Sequence, residues 1–166
     1  MRGSDVSIVG DASEQLEVTR HDVTSDVALG LIAELNAELS ELYPEEGATH
    51  FRLDPDEVSE ARGAFLVAFL DGVPVGCGAL RRLDAATAEI KRMYVQSSLR
   101  GRGIARRILD ELVSHARRLG VNRIVLETGE RQSDALALYG GAGFVRIPLF
   151  GDYVDSPLSV CMAKDL

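Results

Sequence analysis

The stretch Glu89–Ala105, EIKRMYVQSSLRGRGIA, decides the reading of this 166-residue chain. A strand-like run from Glu89 to Val95 gives way to polar Gln96-Ser97-Ser98. Arg100-Gly101-Arg102-Gly103 then leads into Ile104, Ile108, Leu112, Ala116 and Leu119, apolar residues at helical spacing. The first backbone N–H groups of a helix have no intrahelical partner, and the aligned peptide dipoles place partial positive charge there. Glycine at 101 and 103 removes Cβ atoms that would keep a ligand away from that backbone. Arg100 and Arg102 add side-chain charge, so the segment predicts a cradle for a pyrophosphate.

Three kinds of phosphate loop have to be separated. A Walker A loop needs Lys and Ser or Thr after its last glycine, but Ile104 and Ala105 follow Gly103. A dinucleotide fingerprint needs a third glycine where Arg106 stands, and it belongs in an early βαβ unit. Glu127 closes the next strand, where a ribose-binding acid would sit, so a nucleotide-linked oxidoreductase remains as a lesser alternative.

The third kind fits. Arg100-Gly101-Arg102-Gly103-Ile104-Ala105 matches the Q/R-x-x-G-x-G/A motif, and the chain resembles the GNAT superfamily of acetyl-CoA-dependent N-acyltransferases. Ala88–Val95 is similar to that family's fourth strand, and Ala135-Leu136-Ala137-Leu138-Tyr139 with Gly143-Phe144 to its A-x-x-L-Y-x-x-x-G-F element. The tail from Phe150 to Cys161 resembles a group of small bacterial members.

The resemblance implies acetyl-CoA as co-substrate and direct transfer of its acetyl group to an amine, on a small molecule or a protein, within a ternary complex. It implies the GNAT fold, an α+β three-layer α/β/α arrangement whose mixed, mostly antiparallel central sheet carries helices on both faces. Met93, Tyr94 and Val95 would bind the pantetheine arm through backbone groups, and Arg100, Gly101, Arg102, Gly103, Ile104 and Ala105 the pyrophosphate. Gln132 and Ser133 stand where the family often has an asparagine touching the cofactor arm. Glu89 occupies the position of the family's general base, and Tyr139 that of the tyrosine which protonates the departing thiolate. The acceptor site would draw on Tyr43, His50, Arg52, Tyr153 and Asp155. Dimers are common in the family. The alternative is a CoA-binding sensor with no catalysis.

Composition narrows the field independently. The length suits one domain over 1–166, with residues 1–12 expected to be flexible. No apolar run approaches the ~20 residues of a membrane span, and no signal-peptide layout opens the chain, so the expectation is a cytoplasmic protein that does not engage membrane. Cys77 and Cys161 lie in apolar strand-like segments and read as buried free thiols. No Cys/His group has metal-ligand spacing.

The net charge of −8 disfavours nucleic acid as a partner. Its distribution is uneven: residues 81–131 hold 12 of the 18 basic side chains and 6 of the 26 acidic ones, a local +6 against −14 elsewhere. That basic segment suits an anionic cofactor, while the acidic remainder suggests a cationic or neutral acceptor rather than an acidic one.

The remaining elements follow from periodicity and punctuation. Strands are expected over Gln15–Thr19, Ala64–Leu70, Val73–Arg82, Thr87–Val95, Arg123–Thr128, Gly143–Ile147 and Leu158–Ala163, with Asp71-Gly72 turning the first long hairpin. Helices are expected from a Thr24 or Ser25 cap to Leu42, over Gly103–Leu119 and over Ser133–Gly140, with a short turn at Asp54-Pro55. Strand, helix and strand around the glycine loop predict a parallel pair there.

Overall fold

Parallel pairing around the glycine loop is the feature on which the architecture turns. In the computed structural model, which describes residues 14–45 and 53–166, β4 (Thr87–Val95) pairs parallel with β5 (Arg123–Gly129) across the connecting helix α2 (Ile104–Arg118). The other neighbours are antiparallel: β1 (Leu16–Arg20), β2 (Gly63–Leu70), β3 (Val73–Arg82), β6 (Val145–Ile147) and β7 (Ser159–Asp165). The seven strands lie in the order β1-β2-β3-β4-β5-β7-β6. Expectations for residues 1–12, His50 and Arg52 lie outside the described residues.

Local chemistry accounts for the boundaries. Ser25 Oγ accepts from the Ala28 N–H and caps α1 (Asp26–Leu42), and Pro44 follows its end. Asp71 and Gly72 both hold positive φ, as a tight hairpin turn between β2 and β3 demands. The sequence boundaries hold to within two residues; β6 begins at Val145 rather than Gly143, because Gly143 sits at φ 93 in the turn after α3 (Ser133–Gly141).

Each face of the sheet has its own core. On one, α2 and α3 cover Leu66, Leu80, Ile90, Leu126 and Met162. On the other, α1 covers Phe65, Val67, Cys77 and Ala79. Ile108, Leu109 and Leu112 of α2 are fully buried, so truncating any one to Ala would cost roughly 2–5 kcal/mol. The helix lies this close because Gly78 of β3 has no side chain: a Cβ there would stand 2.6 Å from Met93 Sδ and 2.8 Å from Ile108 Cγ2. Cys77 and Cys161 are buried and free.

Candidate active site

The cleft begins where β4 and β5 part. Their pairing runs only from Thr87 with Arg123 to Ile90 with Leu126; both strands continue beyond it without pairing to each other. A bulge accentuates the divergence. Between Cys77 and Ala79 of β3 the partners on β4 step from Tyr94 to Lys91, one residue more, and Arg92 takes φ 60. Past Lys91, the edge of β4 turned away from β3 has no strand beside it among the described residues. An extended ligand can pair there, and Met93, Tyr94 and Val95 line the opening.

The cleft has a volume of about 1750 Å³. At one end is the glycine loop. Gly101 and Gly103 have φ 78 and 83, and no atom lies within 4 Å of where a Cβ on either would be. Gly103 is the N-cap of α2, so no side chain shields the first helical N–H groups, and Arg107 is the first to bond back to its carbonyl. The backbone at this end of the cleft is therefore open to a ligand.

Arg100 lines the cleft, pinned by Nε to the Val95 carbonyl (3.0 Å) and by its guanidinium to Glu38 (2.7 Å). Arg102 does not line it. Its guanidinium turns outward onto Glu14, because the left-handed glycines on either side point consecutive side chains apart.

Tyr139 of α3 lines the cleft and is 4% exposed, its ring edge-on to Phe144 at 5.8 Å. Burial, with a smaller contribution from the Glu127 charge, pushes its phenol above the ordinary value, so the hydroxyl is a neutral donor at physiological pH. Glu127 of β5 also lines the cleft. Burial pushes its carboxyl up to about 7 even though the Ser159 hydroxyl donates to it at 2.7 Å. Thr128, beside it, is buried with no hydrogen-bond partner for its hydroxyl, and it too faces the cleft.

Glu89, expected as the general base, is buried. Its side chain is 1% exposed and takes no part in lining the cleft. Arg81 holds one carboxylate oxygen from Nε (2.8 Å) and Nη2 (2.7 Å), and Tyr153 donates to the other at 2.7 Å. Arg81 also reaches Glu57, in the short helical turn Pro55–Val58. Arg81 lies directly across the ladder from Glu89, on β3.

The expected acceptor residues within the described chain converge. Tyr43, Tyr153 and Asp155 all line the cleft, as do Gln132 and Ser133. Tyr43, at the end of α1, rests on Gly129: a Cβ there would fall 1.8 Å from its hydroxyl. The same hydroxyl accepts from the Arg131 N–H (3.0 Å), and the Arg131 guanidinium stacks on its ring at 5.2 Å.

Lys91, Arg92, Thr128 and Ser159 were not picked out from the sequence, and Glu127 only as an acid for ribose. Their exposure to the cleft arises from the bulge and the strand divergence, which leave no local signature. Among the described residues no helix is long and apolar enough to cross a membrane, and no group of three His, Cys, Asp or Glu side chains could hold a metal ion.

Comparison with known proteins agrees with this geometry. The model of the GNAT acetyltransferase family matches residues 30–144. A protein of Azospirillum brasilense named an IAA acetyltransferase is 38% identical over 150 residues, covering 90% of this chain and 97% of that protein. Among solved structures, one of Klebsiella pneumoniae, described as an acyl-CoA N-acyltransferase, superposes with a TM-score of 0.78 at 29% identity, covering 92% of this chain and 98% of the other. A GNAT acetyltransferase of Elizabethkingia anophelis with acetyl-CoA bound shares the fold at a TM-score of 0.64 and 19% identity, covering 91% and 98%. The oxidoreductase alternative falls away: the chain belongs to the GNAT family of acetyltransferases, which use acetyl-CoA.

Proposed function

We propose that this acetyltransferase moves the acetyl group directly to an amine in a ternary complex, with Glu127 as general base, Tyr139 as general acid, and Glu89 as a positioning residue. When bound, acetyl-CoA supplies the activated acetyl thioester. The first N–H groups of α2 and the backbone of Gly101 and Gly103 would hold its pyrophosphate, and the free edge of β4 its pantetheine arm. The buried Thr128 hydroxyl would gain in the arm the partner it otherwise lacks.

Glu127 carries the proposal. It lines the cleft, and its upward shift puts its proton affinity where a base is effective at neutral pH. As the amine attacks the carbonyl carbon and the C–N bond forms, Glu127 takes the amine proton. As the C–S bond breaks, the neutral Tyr139 hydroxyl gives its proton to the leaving sulfur. Holding both reactants against these two groups supplies much of the acceleration, since no covalent intermediate with the protein is needed. Glu89, locked between Arg81 and Tyr153, acts by holding the Phe150–Pro157 segment against the cleft.

A cytoplasmic setting fits a reaction that consumes acetyl-CoA and a chain whose two cysteines remain free thiols. Thiol release from acetyl-CoA in the presence of a mixed amine library tests the reading. Turnover that needs both the amine and Glu127 is the expected result, whereas acetyl-CoA binding with no thiol release from any amine would reduce the chain to a sensor.

A further inference from the structure

We propose that the acceptor is an amino-acid-like molecule whose amine meets Glu127 and whose carboxylate is held by Lys91 and Arg92. The proposal rests on the acetyl-transfer reading above and names its substrate class.

The bulge in β4 is the first observation. Strand alternation puts Lys91 on the same side of the sheet as Glu89, facing α1. The extra residue breaks that alternation and turns Arg92 to the same side, where its guanidinium bonds Asn36 of α1 at 2.8 Å. Two successive cationic side chains thus line the cleft where β4 leaves β5. Left-handed backbone at a non-glycine residue costs roughly 1–2 kcal/mol, and such strain persists where a site requires it.

The second observation is the arrangement of charge. Around these cations stand Glu89 on β4, Arg81 on β3, Glu57 on the short turn, Glu127 on β5 and Tyr153 after β6. Glu57 and Glu89 both have Arg81 as an ion-pair partner, and Glu127 is only partly ionised near neutral pH. Burial pushes Lys91 and Arg92 below their ordinary values, and a substrate carboxylate beside them would favour their charged forms through charge-assisted hydrogen bonds.

Among the described acids outside the cofactor segment, Glu38, Glu41, Glu45, Asp134, Asp152 and Asp155 also line the cleft. Asp152 and Asp155 sit exposed at the rim, Glu38 is engaged by Arg100 and Glu45 by Arg131. The proposed acceptor departs from the sequence-level expectation of a cationic one because Lys91 and Arg92 both line the cleft.

The test compares free amino acids with their amides, which keep the amine and lose the negative charge. Using the purified protein and acetyl-CoA, at least one amino acid should be acetylated with kcat/KM ten- to a hundredfold above that of its amide. In Arg92→Gln, and separately in Lys91→Gln in case the bulge rearranges, that preference should shrink at least tenfold. A second arm needs no turnover: small carboxylic acids without an amine should bind the protein–CoA complex by calorimetry, and bind at least tenfold more weakly to either variant. Amides or polyamines used as well as the free acids, or carboxylic acids bound equally by wild type and variants, would overturn the proposal. Acids that bind through Lys91 and Arg92 while no amine is ever acetylated would instead count against the acetyl-transfer reading and leave the anion site standing.

Discussion

The Tyr153 hydroxyl donates a 2.7 Å hydrogen bond to Glu89 Oε2, and through it the segment after β6 is fastened to the middle of β4. The carboxylate at the motif position of the family's base is thereby enclosed by Arg81 and Tyr153, and the base we propose is one strand over, at Glu127, which lines the cleft.

Tyr153→Phe keeps the edge-on contact with Phe150 and removes the hydroxyl that anchors Glu89. It leaves a buried carboxylate oxygen without this donor, costing about 1–3 kcal/mol of stability. The acceptor KM should rise by roughly tenfold while the affinity for acetyl-CoA barely changes. A variant with lost cofactor affinity and an unaltered acceptor KM would place the anchor's effect at the wrong end of the cleft.

Tyr139→Phe preserves the ring against Phe144 and deletes the proton donor. Calorimetry should show near-wild-type acetyl-CoA binding, and kcat should fall by roughly 10²–10⁴-fold. Undiminished turnover would mean that water protonates the thiolate and that Tyr139 only packs.

Gly103→Val should weaken acetyl-CoA binding at least tenfold. The reason is conformational as well as steric: at φ 83 a branched side chain is strained by roughly 1–2 kcal/mol even though the surrounding space is open. Gly140→Ala, in α3 with nothing within 4 Å of the new methyl, is the control and should be neutral or stabilising by up to about 1 kcal/mol. Equal affinities in both variants and wild type would remove the loop from the cofactor site.

Glu127→Gln should stabilise the fold at alkaline pH. The folded-state value of about 7 lies above the ordinary 4.5, so the folded protein binds more protons between these values and wild-type stability falls as pH rises through that window. The penalty is absent below the lower value and fully present above the upper one. Glutamine, which still offers an oxygen to Ser159, should raise stability by roughly 2–3 kcal/mol at pH 8.5 and by almost nothing at pH 4.5. Thermal melts across that range check the sign, and a constant offset at all pH values would contradict the burial argument.

Much of this was legible in the sequence. The loop from Arg100 to Ala105, the parallel β4–β5 pair and the turn at Asp71-Gly72 rest on local rules, and local rules survive folding. Tyr139 reaches the cleft because its motif fixes its place on α3. Glu89 read differently because a strand position says which face a side chain takes but not what waits there, and Arg81 waits there. Arg92 escaped notice because a bulge is set by how β3 and β4 align over distance, and Arg102 misled because its side-chain direction depends on the φ values of the glycines beside it.

The most direct test of the account is the pH dependence of kcat/KM in Glu127→Gln and Glu89→Gln, measured with one acceptor amine of high pKa. Wild type should show a limb rising with pH near 7, as Glu127 loses its proton. Glu127→Gln should lose that limb and fall by roughly 10²–10⁴-fold, whereas Glu89→Gln should keep the limb at whatever rate its loosened anchor allows. A Glu89→Gln protein without the limb, beside a Glu127→Gln protein that retains it, would return the role of base to Glu89.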